Sequence, residues 1–79
     1  MTKSIKSLRG LTGNTPLVRI DERIYGKLET YNPSGSVKDR FVVYAVDLAL
    51  SAGKIRNDTT LIEATSGNTG ISLSMAGAA

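Results

Sequence analysis

Cysteine and histidine are both absent from these 79 residues. Without cysteine, neither a disulfide framework nor thiolate metal ligation can stabilise the chain. Without histidine, the commonest metal ligand and the usual general base near neutral pH are gone, and no metal site is expected. Any chemistry must therefore come from lysine, carboxylates, hydroxyls, amides or the backbone. Aromatic residues are few: Tyr25, Tyr31, Phe41 and Tyr44. The net charge is only +3. Lys3, Lys6 and Arg9 stand unopposed in the first ten residues, while the remaining seven basic side chains are balanced by seven acidic ones. A nucleic-acid module needs a dense basic face, usually with aromatics to stack on, so no nucleic-acid partner is expected. The longest uninterrupted apolar stretch, Phe41 to Val46, falls far short of the roughly 20 residues that span a bilayer, and no membrane association is expected. The basic start leads into Gly13-Asn14-Thr15-Pro16 and not into an apolar run with a cleavage site, so the expected location is cytoplasmic.

What is present is ordinary globular material, 41% hydrophobic and 22% charged, which argues against disorder. A chain this short fits one domain at most and buries only about 60% of the surface its unfolded form exposes, so its own core is small. Residues 1–16 read as an arm ending in turn formers. Leu17-Val18-Arg19-Ile20 and Ile24 to Glu29 read as strands joined by Asp21-Glu22-Arg23, short enough for a hairpin. Tyr31 to Ser36 breaks all periodicity. A helix follows, with Ser36 and Asp39 approximating a capping box and Gly53 as its C-terminal stop. Its apolar positions leave only the stripe Arg40, Asp47, Ser51 and Lys54, which predicts a largely buried helix. Thr59 to Ala64 reads as a strand, Thr65 to Gly70 as a second turn-rich loop, and Ile71 to Ala76 as the start of a second helix. Residues 17–79 thus predict a hairpin plus a βαβα unit with a parallel pair of strands. The run stops at Gly77-Ala78-Ala79 without a cap, which reads as the opening portion of a larger α/β protein, a genuine chain end being the alternative.

In an open α/β sheet, ligands sit where strands lead into helix N-termini, and both turn-rich loops hold that position. The second loop suits a carboxylate or phosphate, because a helix start offers unpaired N–H groups and Gly67 and Gly70 admit close approach. A hydrophilic turn carrying its own N-cap is the plainer reading. The glycine spacing matches neither nucleotide-binding fingerprint. Lys38 is placed unusually, since a cation in a first turn opposes the helix dipole by about 0.3–1 kcal/mol. Acting as an amine nucleophile it must shed its proton, which needs desolvation or conversion to an imine. Read without any motif, it is more often a surface charge pairing with Asp39 or a phosphate clamp than a catalytic amine.

Taken together, four blocks resemble the N-terminal part of cysteine synthases. They are Thr12-Gly13-Asn14-Thr15-Pro16-Leu17-Val18, Lys27-Leu28-Glu29, Asn32-Pro33-Ser34-Gly35-Ser36-Val37-Lys38-Asp39-Arg40 and Leu61-Ile62-Glu63-Ala64-Thr65-Ser66-Gly67-Asn68-Thr69-Gly70. The wording is most similar to the B-type enzymes, and cystathionine β-synthases share much of it. The resemblance implies a partial parallel-sheet αβα layer structure of the tryptophan-synthase-β-like class, pyridoxal-phosphate fold type II. It implies pyridoxal 5'-phosphate as cofactor, held by Lys38 as an imine, with Lys38 later the acid/base at the substrate α-carbon. Asn68 would bond the cofactor's ring oxygen, and Thr65, Ser66, Gly67, Asn68 and Thr69 would bind the amino-acid substrate. The implied reaction is β-replacement on an O-activated L-serine by a sulfur donor, giving L-cysteine. A homodimer is expected of the full-length form. The family's phosphate-binding glycine loop and the residue facing the pyridine nitrogen lie downstream of residue 79, so the chain alone is expected to be inactive. The alternatives are a cystathionine β-synthase-like fragment, a non-catalytic truncated paralogue, and an anion-binding or interaction module.

Overall fold

The computed structural model describes residues 2–79. Its elements, in order, are helix α1 (Thr2–Leu11), strands β1 (Leu17–Asp21) and β2 (Ile24–Lys27), a single 3-10 turn at Glu29–Tyr31, helix α2 (Asp39–Ser51) and helix α3 (Asn68–Ala78). Both α1 and α3 pack against α2, and the small core lies along that central helix. Ile5, Val42, Val43, Val46 and Ala76 are buried there, with Leu8, Leu50, Ile55, Leu61, Leu73 and Met75 packed around them. Each fully buried Val or Ile contributes about 1.5–3 kcal/mol, so a core of four such residues and one alanine leaves little in reserve.

The first residues correct the expectation of an arm without helix. Ile5 and Leu8, three residues apart, share one helix face, and burial of that face against α2 stabilises a segment with no strong start signal. Arg9, expected to stand unopposed, bonds Asp47 at 2.6 Å and stacks 4.6 Å from the Tyr44 ring centroid. The helix stops where the Thr12 hydroxyl turns back onto the Leu8 carbonyl at 2.6 Å.

The hairpin agrees with the sequence reading, except that its second strand stops at Lys27 and Glu29 opens the 3-10 turn instead. Its strands are antiparallel, Leu17 opposite Lys27 and Arg19 opposite Tyr25, with an irregularity between Arg19 and Asp21 that re-aims the turn. Every side chain of β1 is exposed. The predicted stop of α2 also holds: Gly53 adopts φ +72°, and the Gly53 and Lys54 N–H groups close back on the Leu50 and Ala49 carbonyls at 3.1 and 2.9 Å. That pair of bonds is a Schellman motif, which needs a left-handed residue at the glycine.

Three expectations do not hold. First, the only ladder among the described residues is the antiparallel hairpin. Thr59 to Ala64 forms no strand and makes no parallel pair, because no neighbouring strand offers its backbone a partner, and Ile62 is 90% exposed. The described residues form a mixed α/β structure of three helices and a hairpin. Second, α2 is half-covered: Phe41, Tyr44 and Leu48 are 54%, 47% and 47% exposed. Asp47, assigned to the polar stripe, is buried instead, because Arg9 of α1 reaches over it. Third, no Ser36–Asp39 capping box forms. The Ser36 hydroxyl accepts only from the Lys38 N–H at 3.3 Å, and the Asp39 carboxylate turns back to Ser34. No described helix is long and apolar enough to cross a membrane.

Candidate functional site

Lys38 sits at the N-terminal boundary of α2, in helical conformation, and its carbonyl accepts the first helical bond from Val42 at 3.1 Å. It is reached through a β-turn in which the Gly35 N–H donates to Asn32 O at 2.8 Å, with Pro33 at the second position. The Lys38 side chain is exposed and takes no hydrogen-bond or ion-pair partner among the described residues.

The 65–70 loop is organised by Thr65. Its hydroxyl accepts from the Gly67 N–H at 3.2 Å and from the Gly70 N–H at 3.1 Å. It therefore caps α3 from outside, while Gly67 occupies the N-cap position without a side chain to do so. Ile71 donates to Gly67 O at 3.0 Å. The first N–H groups of a helix have no intrahelical acceptor, and those of Asn68 and Thr69 stay unbonded among the described residues. Gly70 is required by closeness: a Cβ built there would lie 2.7 Å from Thr65 Cγ2.

These two segments meet. Lys38, Phe41, Glu63, Ala64, Thr65, Ser66, Asn68 and Thr69 line one cavity of about 440 Å³. Of the sequence-derived site residues, the structure brings Lys38, Thr65, Ser66, Asn68 and Thr69 together on this wall. Gly67 is not part of the lining; it forms the turn behind. The walls offer an amine, hydroxyls, a carboxamide and the positive end of a helix, a donor-rich set suited to an anionic ligand, with the Glu63 carboxylate as the one opposing charge among the lining residues. Sequence reasoning missed Phe41 and Glu63. Phe41 falls one helical turn beyond Lys38, a spacing that could have placed both on one face.

Two polar clusters hold the Lys38 turn from either side, and sequence reasoning found neither as a cluster. On one side, Asp39 is fully buried. Its Oδ1 accepts from the Ser34 and Ser72 hydroxyls, each at 2.5 Å, and its Oδ2 accepts from the Ser34 N–H at 2.7 Å. The two serine oxygens lie 3.1 Å apart, closing a triangle across the loop, α2 and α3. On the other side, Arg40 grips Glu29 through Nε at 2.7 Å and Nη2 at 3.2 Å. Thr15 donates to the same carboxylate at 2.6 Å, and the Asn32 amide at 2.9 Å. The Arg40 guanidinium above all, then Thr15 and Asn32, holds the Glu29 carboxyl down from 4.5 to about 2. Reciprocally, hydrogen bonding to Glu29 raises the pKa of Arg40. Asn32 also accepts from the Gly13 N–H at 2.8 Å, and Lys27 donates to the Thr15 carbonyl, so the loop after α1 is tied to the turn before α2.

The family model described as pyridoxal-phosphate dependent enzyme matches residues 8–79. The chain is 46% identical to a cysteine synthase of Aquifex aeolicus, covering 98% of the chain and 27% of that protein. It is 49% identical to a cysteine synthase B of Pseudomonas aeruginosa, covering 99% of the chain and 28% of the relative. It is 47% identical to a cystathionine beta-synthase of Saccharomyces cerevisiae, over 86% of the chain and 15% of the relative. The chain thus spans roughly a quarter of the length of the two cysteine synthases.

Proposed function

Because this chain belongs to the pyridoxal-phosphate dependent enzymes, we propose that it supplies the lysine-bearing, amino-acid-gripping part of a cysteine-synthase-type active site. One observation carries the reading: Lys38 and the Thr65–Thr69 turn face a single cavity. The residues fit the cofactor. A space of about 440 Å³ lies within the range of small-molecule sites, and its walls carry a primary amine free of any carboxylate partner beside hydroxyl, carboxamide and helix-start donors.

Bound there, pyridoxal phosphate supplies an aldehyde that condenses with an amine and a conjugated ring that draws electrons from a neighbouring carbon. The chain's own residues do the rest. Lys38 Nζ would hold the cofactor and, once the substrate amine displaces it and frees the lysine, would take the proton from the substrate α-carbon and return it after the exchange at the β-carbon. Asn68 would bond the cofactor through its carboxamide. The Thr65, Ser66 and Thr69 hydroxyls and the Asn68 and Thr69 N–H groups, with Gly67 shaping the turn, hold the substrate α-carboxylate. Phe41 lends that wall an apolar ring.

In the overall reaction the β-carbon of an O-activated L-serine loses its oxygen leaving group and gains sulfur, giving L-cysteine when the sulfur donor is sulfide. A cystathionine β-synthase-type reaction, with a larger thiol as donor, is the second reading, favoured by the yeast relative. The complete protein is read as a cytoplasmic homodimer of fold type II, and the 79-residue chain as insufficient for turnover by itself. The test is incubation of the chain with pyridoxal phosphate, borohydride reduction and peptide mass mapping. The reading expects the stable adduct on Lys38 in preference to Lys27 and Lys54; an even spread over the lysines contradicts it.

A further inference from the structure

Asp39 is fully buried beside the lysine on which the proposed chemistry depends, yet no cation pairs with it among the described residues. Its three donors come from two directions. Ser34 belongs to the loop that leads into α2, and Ser72 belongs to α3. Ser72 is itself fully buried and lies one helical turn beyond Asn68 and Thr69, which line the cavity. The carboxylate thus joins the residue after Lys38 to the helix whose first turn faces Lys38. This polar bond joins α2 to α3 beside the apolar cluster that includes Val46, Leu73 and Ala76.

We propose that Asp39 is a positioning residue: through Ser34 and Ser72 it sets the separation between the Lys38 amine and the Asn68–Thr69 turn. The inference rests on the reading of Lys38 given above. A carboxylate suits the task because it only accepts, so three converging donors can all be satisfied and none repels it. An amide in its place offers one acceptor oxygen and presents an NH2 group to the Ser34 N–H or to a hydroxyl. Asp39→Asn therefore weakens the clamp without changing its size, because one arm must reverse its donor and acceptor. Ser72→Ala removes the α3 arm alone and places a good helix former within α3.

The experiment measures the borohydride-fixed pyridoxal phosphate adduct at Lys38 relative to that at Lys54, together with the melting temperature, for the chain and both variants. Lys54 lies just past the end of α2, beyond reach of the clamp. Ser72→Ala is expected to lower the Lys38-to-Lys54 ratio about three- to tenfold, the factor for losing one net hydrogen bond. Asp39→Asn is expected to lower it at least as far. A merely structural role would shift the melting temperature and leave the ratio within about twofold of the parent, which overturns the proposal. Should Asp39→Asn not fold, Ser72→Ala decides alone. If the parent chain shows no preference for Lys38, the lysine reading itself fails, an outcome distinct from failure of the clamp.

Discussion

A methyl group on Gly70 tests the geometry of the site at its tightest point. The Cβ of Gly70→Ala would sit 2.7 Å from Thr65 Cγ2, whereas ordinary contact begins at 3.4 Å, so one of the two must move by about 0.7 Å. Thr65 cannot yield freely. It is β-branched and stiff at χ1, and its hydroxyl holds the Gly67 and Gly70 N–H groups. Overpacking of this kind costs about 1–3 kcal/mol. Against that, alanine in place of glycine in a helix gains up to about 1 kcal/mol. The net change in stability is then between nothing and about 2 kcal/mol, measured by urea denaturation. The site is affected more, because Thr65 swings away from the turn that faces Lys38. Adduct formation at Lys38 with pyridoxal phosphate and borohydride is expected to fall about tenfold, equivalent to 1.4 kcal/mol. Thr65→Ser deletes Cγ2 and keeps the hydroxyl, so the double variant should regain labelling to within about twofold of the parent chain. Labelling of Gly70→Ala at the parental level, or a double variant as impaired as the single, would refute the reasoning.

Two further outcomes follow from the clusters around the site. Glu29 has a carboxyl depressed from 4.5 to about 2, so its contribution to stability is whole above pH 4.5 and disappears as the pH falls toward 2. Arg40→Met should bring the Glu29 titration, followed by carboxyl NMR, back toward 4.5; a titration that stays near 2 would assign the depression elsewhere. Arg9→Met should cost about 1–2 kcal/mol in urea denaturation, because it leaves the buried Asp47 carboxylate without its 2.6 Å partner while water still reaches the Arg9 side. Combined with Asp47→Asn, the two changes should show a coupling of at least about 0.5 kcal/mol, and strict additivity would contradict the docking of α1 through this pair.

The hairpin, the stop of α2 at Gly53 and the two turn-rich loops were legible in the sequence because each rests on local signals: alternation, a left-handed glycine, clustered turn formers. Helix α1 was not, since Ile5 and Leu8 make a face only once α2 offers something to cover it. Thr59 to Ala64 has the composition of a strand, but a strand exists through its neighbour, and the hairpin lies elsewhere. The burial of Asp39 and Asp47 was illegible for the same reason. A carboxylate next to a basic residue reads as solvated until Ser34 and Ser72, or Arg9, are brought to it by the tertiary fold. Lys38 and the 65–69 turn were legible as separate motifs and as blocks of a family pattern, whereas the cavity between them is a product of α2 packing on α3.

Lys38 and the 65–69 turn must form one binding surface if the proposed function is right. Amide chemical shifts recorded while pyridoxal phosphate is titrated into the isotope-labelled chain measure this residue by residue. Shifts concentrated on Lys38, Phe41 and residues 65–69, with the hairpin at 17–27 unmoved, are the predicted result. Shifts centred on the hairpin or on α1, with the 65–69 turn silent, would contradict it.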